Sequence, residues 1–155
     1  MDILVLYSWE TDNDKEDEAK AWAMALCYEL CCYSGVSASC DMLFSPRSNT
    51  HEDLVYRIQH TDKILVIVTN SYSKRIEQGI GVASLEEREY RKRIKNEVNT
   101  NNILFLMKEK NSTMPKGWEG YRHLDFSWVN KRSFPRIPQE QRQERFGKIV
   151  QFFSG

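Results

Sequence analysis

Four apolar runs interrupt an otherwise polar chain: Ile3 to Leu6, Val36 to Phe44, Ile64 to Val68 and Ile103 to Met107. Three of them are continuous rather than alternating, and the second is less pure. Continuous runs predict strands buried on both faces, as in a parallel sheet covered by helices. A fifth, weaker strand is expected at His123 to Phe126. Helical spacing fills the gaps. Residues 15–33 predict a first helix, with Glu16, Asp17 and Glu18 in its opening turn, where acids suit the helix dipole. Trp22, Leu26, Leu30 and Tyr33 mark its inner face, and Gly35 closes it. A second helix starts at Thr50-His51-Glu52-Asp53, a capping-box-like pattern, with Leu54, Val55 and Ile58 inward. The third helical region, 82–99, is the most charged stretch, and Leu85, Tyr90 and Ile94 are its expected apolar seam. A last helix over Pro138 to Phe153 begins on a proline, which suits a first turn, and buries Phe146, Ile149, Val150 and Phe153. Gln78 to Gly81 and Lys108 to Gly117 read as loops.

Strands alternating with helices predict an α/β fold. With five strands and right-handed crossovers, the expected arrangement is a parallel sheet in the flavodoxin-like order 2-1-3-4-5. A crevice then opens beyond the C-terminal ends of strands one and three. Tyr7-Ser8-Trp9-Glu10 would form one wall and Thr69-Asn70-Ser71-Tyr72 the other, with the loop Ser45 to Asn49 nearby. Tyr7, Ser8, Trp9, Asn70 and Tyr72 are therefore the candidate ligand-crevice residues.

Composition narrows the function. A chain of 155 residues fits one domain with a good core. Acids and bases number 22 each, so the net charge is zero. A nucleic-acid module would carry a basic surplus to neutralise phosphates, and a polybasic membrane anchor would do the same. No apolar run approaches the ~20 residues of a membrane-spanning helix, and no signal peptide is visible. Cys27, Cys31, Cys32 and Cys40 are expected to be reduced thiols, small residues packed along a helix rather than a disulfide framework. They contain no C-x-x-C pair, so no zinc site is expected. The expected setting is the cytoplasm or nucleus, or the cytosolic side of a larger receptor.

Several catalytic chemistries lack their residues. The first strand-to-helix turn has no glycine, unlike a dinucleotide fingerprint, and no phosphate-binding G-x-x-x-x-G-K-[ST] occurs. Gly79-Ile80-Gly81 is an isolated G-x-G that reads as a flexible loop. Strand three ends in Thr69-Asn70-Ser71, with no acceptor aspartate for a phospho-receiver. His51, His60 and His123 accompany no G-x-S-x-G elbow. What remains is a single carboxylate in the crevice, able to bind ribose hydroxyls or to stabilise a positively charged sugar-like transition state. Glu86, Glu87, Glu89 and Glu10 are the candidates, against the simpler alternative of a solvated helix face.

The ordered features resemble the SEFIR domain, a branch of the Toll/interleukin receptor (TIR) superfamily. The strand ending in Tyr7-Ser8-Trp9 is similar to the family's opening box. "KILVIVTNSYSKRI", Lys63 to Ile76, resembles its third strand and the following Ser/Tyr/Lys stretch. "NILFLMKE" followed by Met114-Pro115-Lys116-Gly117-Trp118 resembles its fourth strand and Pro-x-x-Trp-like turn. Together these motifs span most of residues 2–130. The resemblance implies a five-stranded parallel sheet and association with other SEFIR domains, in receptor tails or adaptors of interleukin signalling, or with a second copy. It implies contact regions at about Glu77 to Val98 and Asp41 to Thr50, so Pro46, Arg47, Arg88, Arg91, Lys92 and Arg93 are the expected interface residues. The mixed charges of the first of these regions suit a steered, polar interface. No cofactor and no metal are expected. Some TIR relatives hydrolyse NAD with a glutamate on the third helix, in bacterial SEFIR-like proteins within a Gly-Val-Gly-Tyr-Glu box. This chain has Gly81-Val82-Ala83-Ser84-Leu85-Glu86, which departs from that box in the second glycine, the tyrosine and the register of the acid. Under that alternative NAD is the substrate, and Glu86 or Glu87 is the catalytic carboxylate.

Overall fold

A computed structural model describes residues 1–8, 13–41, 50–128 and 138–155. Its strands are β1 (Asp2–Leu6), β2 (Ser37–Ser39), β3 (Lys63–Val68), β4 (Ile103–Met107) and β5 (His123–Asp125). Its helices are α1 (Asn13–Cys31), α2 (Thr50–His60), α3 (Asn70–Gln78), α4 (Gly81–Ile94) and α5 (Gln139–Ser154). The five strands form one sheet in the order β2-β1-β3-β4-β5, and all four pairings are parallel. This is the order expected from the apolar runs. The chain reverses its direction of winding between β1 and β3.

Alternation along each strand divides the interior into two cores. Ile3 and Val5, Leu65 and Ile67, and Leu104 and Leu106 face α1 and α5, where Trp22, Leu26, Leu30, Phe146 and Phe153 pack on them. Leu4 and Leu6, Ile64, Val66 and Val68, and Phe105 and Met107 face the opposite layer, against Leu54, Ile58, Tyr72, Ile76, Tyr90, Ile94 and Trp118. Covering both faces is why the runs are continuous.

The structure departs from the sequence reading in four places. β2 is only three residues long, and Met42 to Asn49 lie outside the described residues. Thr69 to Tyr72 is not simply a crevice wall: Asn70–Gln78 is a helix whose N-cap Thr69 accepts from the Tyr72 amide at 3.1 Å. Gly79 ends it in the left-handed region (φ 68°), where glycine carries no Cβ penalty. The charged helix stops at Ile94 rather than running on to residue 99. Its inner face also differs. Leu85 is 36% exposed, whereas Ala83, Glu87, Tyr90 and Ile94 are buried. Leu85 and Ile94 stand nine residues apart in the sequence, which puts them about half a turn out of phase.

Leu104→Ala, in the central layer, should lower unfolding stability by about 2–5 kcal/mol. Val98→Ala, at a fully exposed position, should change it by less than about 0.5 kcal/mol. Urea denaturation of both variants checks the pair.

Candidate functional site

The site lies beyond the C-terminal ends of the paired strands β1 and β3, where the chain leaves them for opposite faces of the sheet. Tyr7 and Ser8 continue β1 and are both buried. Asp41 follows β2 and Thr69 follows β3. The first half of α4 crosses behind them, bringing Glu86 against Val5, Leu6, Tyr7, Asp41 and Leu54. The space these six residues enclose has no room for a water molecule.

Glu86 and Glu87 are adjacent in sequence and differ sharply in surroundings. Glu87 is 2% exposed and fully engaged. Its Oε1 accepts from the buried indole Nε1 of Trp118 at 3.0 Å and from Arg91 Nε at 2.8 Å. Arg91 Nη2 also donates to the same oxygen. Trp118 is itself locked by Tyr90, Phe105 and Tyr121, with Lys95 Nζ 4.5 Å from its ring centroid. Glu87 thus joins α4 to the segment after β4, with a cation at its mouth. A buried carboxylate held in this way is a structural element.

Glu86 is 5% exposed, and its Oε2 has no hydrogen-bond partner among the described residues. Burial pushes its carboxyl well above the ordinary range, and the neighbouring Asp41 carboxylate adds to that shift. A buried acid with an unsatisfied oxygen and an acidic neighbour costs stability. Such groups concentrate where a protein does chemistry or binds.

Tyr72, expected in the crevice wall, lies wholly inside the core, and its hydroxyl meets that of Tyr90 at 3.0 Å. Burial pushes both phenols well up, with Glu86 and Glu87 adding to the effect. They stand as neutral groups behind Glu86. Asn70 is half-buried and donates Nδ2 to Glu109 Oε2 at 3.0 Å. The fold therefore brings Tyr7 and Glu86 to one place, with Asp41, which the sequence reading did not single out; Ser8, the next residue along from Tyr7, is buried. An acid directly after a short strand was the available signal. Trp9, Glu10, Pro46 and Arg47 lie outside the described residues.

The expected interface bases fall into two groups. Arg93 is turned inward: Nη1 donates to the Ile58 carbonyl (2.8 Å), Nη2 to the Asp62 carbonyl (3.1 Å) and Nε to Glu97 (3.0 Å). Arg91 is committed to Glu87. Arg88 and Lys92 point to solvent, and Lys92 also reaches Glu89 at 3.2 Å. The same outward face begins with Ile80, Val82 and Leu85, three exposed apolar side chains.

Neither a protein-family model nor a curated protein sequence matches the chain. A solved structure does. The crystal structure of a prokaryotic SEFIR domain superposes with a TM-score of 0.57 at 21% identity, covering 94% of this chain and 90% of that one. The chain has a SEFIR-type fold, within the α/β class that the strand order already defines. Among the described residues, no helix is long and apolar enough to cross a membrane.

The Glu86 proton gives a stability signature. A carboxyl whose folded pKa is raised holds a proton that the unfolded chain has already released, so stability falls as pH rises from the ordinary carboxylate range towards the folded value. Glu86→Gln should flatten that fall and raise stability at neutral pH. Glu87→Gln should instead destabilise, by about 1–3 kcal/mol, because it unpairs Arg91. Urea unfolding of the three proteins between mildly acidic and neutral pH measures both effects.

Proposed function

We propose that this is a cytoplasmic signalling domain that acts by binding other SEFIR domains, in receptor tails or adaptors of interleukin-receptor type, or a second copy of itself. The observation that carries the reading is the outward face of α4. Ile80 just before it and Val82 and Leu85 in its first turns are exposed, and its later turns expose Arg88 and Lys92. Apolar side chains beside exposed bases suit a contact whose centre loses water and whose rim steers approach by charge. The family resemblance supports the same region. The inward anchoring of Glu87 and Arg93 makes this face a rigid platform.

A second reading is favoured by Glu86. An ionised carboxylate facing a sugar-like cation is what cleavage of the nicotinamide–ribose bond of NAD requires. Glu86, buried with an unsatisfied Oε2, is the candidate for that group. The positive nicotinamide ring would itself favour ionisation of the acid. In this reading NAD is a substrate and Tyr7 and Ser8 line the ribose pocket.

For association, Leu85→Asp and a combined Arg88→Glu, Lys92→Glu variant should each weaken binding to a SEFIR partner or to self by about tenfold or more, with the fold retained. Light scattering and pull-down read the effect. Unchanged affinity in both variants would remove α4 from the interface. For hydrolysis, incubation of the clustered domain with NAD should release nicotinamide in the wild type and in a folded Arg88→Glu control, but not in Glu86→Gln. No release from the clustered wild type sinks the second reading and leaves the first untouched.

A further inference from the structure

The end of the sheet opposite the candidate site carries a second concavity. β4 begins at Ile103 and β5 at His123, and a single 3-10 turn, Thr100–Asn102, leads into β4. This turn, the residues just before β5 and the last turn of α5 enclose about 830 Å³, within the size range of small-molecule sites. Thr100, Asn101, Tyr121, Arg122, His123 and Phe152 line it. Local bonds fix its walls. The Asn99 side chain accepts from the Asn101 amide at 2.8 Å. The Tyr121 amide donates to the Trp118 carbonyl at 3.0 Å, and the two ring centroids lie 4.7 Å apart. The Arg122 carbonyl accepts from the Phe105 amide at 3.2 Å, which ties this wall to β4.

Two kinds of side chain meet within this frame. Tyr121 and Phe152 are half-buried rings, and Arg122 and His123 are exposed beside them. Neither the Arg122 nor the His123 side chain makes a hydrogen bond or ion pair among the described residues. Other guanidinium groups of the chain are committed: Arg57 to Asp53, Arg91 to Glu87 and Arg93 to Glu97. Glu119 is the acid on the same rim, but its Oε2 accepts from the Gly117 amide at 2.9 Å and is held on its own turn. The uncommitted charge in the pocket is therefore the Arg122 guanidinium, next to two aromatic rings. A guanidinium with its donors free is matched by a phosphate or a carboxylate, which takes two parallel N–H bonds. Aromatic walls are matched by a flat ring. Thr100 and Asn101 offer donors and acceptors to the polar edge of such a ring.

We propose that this pocket binds a small aromatic anion: a flat ring that carries a phosphate, as in a nucleoside monophosphate, or a carboxylate. The anionic group sits on Arg122 with His123 beside it, and the ring packs against Tyr121 and Phe152. Both parts are needed, because one exposed ion pair contributes about 0–1 kcal/mol and a ring contact about 0.5–1.5 kcal/mol beyond its buried area. The pocket lies at the N-terminal ends of β4 and β5, away from Glu86, so its occupancy is read separately from either proposed function.

The test titrates the isotope-labelled whole chain and follows its amide NMR spectrum. The probes are adenosine monophosphate and indoleacetate, with adenosine as a ring without charge and inorganic phosphate as a charge without a ring. The expected result is saturation by at least one of the two aromatic anions at about 1 mM or below. The shifted amides should be those of Thr100, Asn101, Gly120 to His123 and Phe152, with Tyr7 and Glu86 unmoved. Saturation by adenosine monophosphate alone marks a phosphate-bearing ligand, and saturation by indoleacetate alone a carboxylate-bearing one. Adenosine and phosphate should each bind at least about tenfold more weakly, and Arg122→Ala should weaken the aromatic anion by about tenfold or more. Phe152→Leu, which keeps the bulk and removes the ring, should also weaken it. The spectrum of each variant reports whether it is folded; if Phe152→Leu is not, Arg122→Ala decides, since that side chain makes no bond in the fold. Absence of saturation by either anion up to about 10 mM, shifts centred on Glu86, equal binding of adenosine or phosphate alone, or unchanged affinity in Arg122→Ala would each overturn the proposal.

Discussion

The structure depends on one requirement: a parallel sheet built from continuous apolar strands must be covered on both faces. β3 makes this plain. Ile64, Val66 and Val68 serve one core, Leu65 and Ile67 the other, and all are buried. Each face needs helices, and the parallel crossovers deliver them, α1 and α5 to one side and α2, α3 and α4 to the other. Leaving either face open would expose several large aliphatic side chains, each costing about 1.5–3 kcal/mol in lost burial. The site beyond β1 and β3, where their connections part to opposite faces, is a by-product of that covering.

α4 shows how one helix can meet this requirement and still carry charge. Its buried stripe is Ala83, Glu87, Tyr90 and Ile94. A small residue and an acid occupy positions where aliphatic residues are usual. The acid is tolerated because Trp118 and Arg91 satisfy it from two directions. Glu86 receives no such help at Oε2 and faces Asp41 instead of a cation. The contrast between neighbours separates a carboxylate that builds the fold from one held in reserve. On the other side of the same helix, anchoring of Arg91 and Arg93 leaves Arg88 and Lys92 to face outward beside the apolar start.

The two proposed roles use the two sides of this helix differently. Association with a second protein domain would use the outward face, and hydrolysis of NAD would use the inward acid. The likeness to a prokaryotic SEFIR domain at 21% identity establishes the architecture. The choice between the two roles rests on side chains, and both are carried by one rigid helix.

By itself, the sequence determined the α/β class, the strand positions and the helices with strong apolar spacing, because each is written in consecutive residues. Ile103 to Met107 is a strand at its predicted bounds, and the observed strand order is the common five-stranded one that right-handed crossovers allow. It did not determine α3, which is short and polar and owes its limits to Thr69 and Gly79. The face of α4 was misread at Leu85, since an apolar pattern cannot credit a buried glutamate. Only the tertiary structure decided that Glu87 is satisfied and Glu86 is not, and that Asp41 joins the site. Each of these is a contact between groups brought together by different elements. Its energy depends on what surrounds the group in space, and no local spacing encodes that.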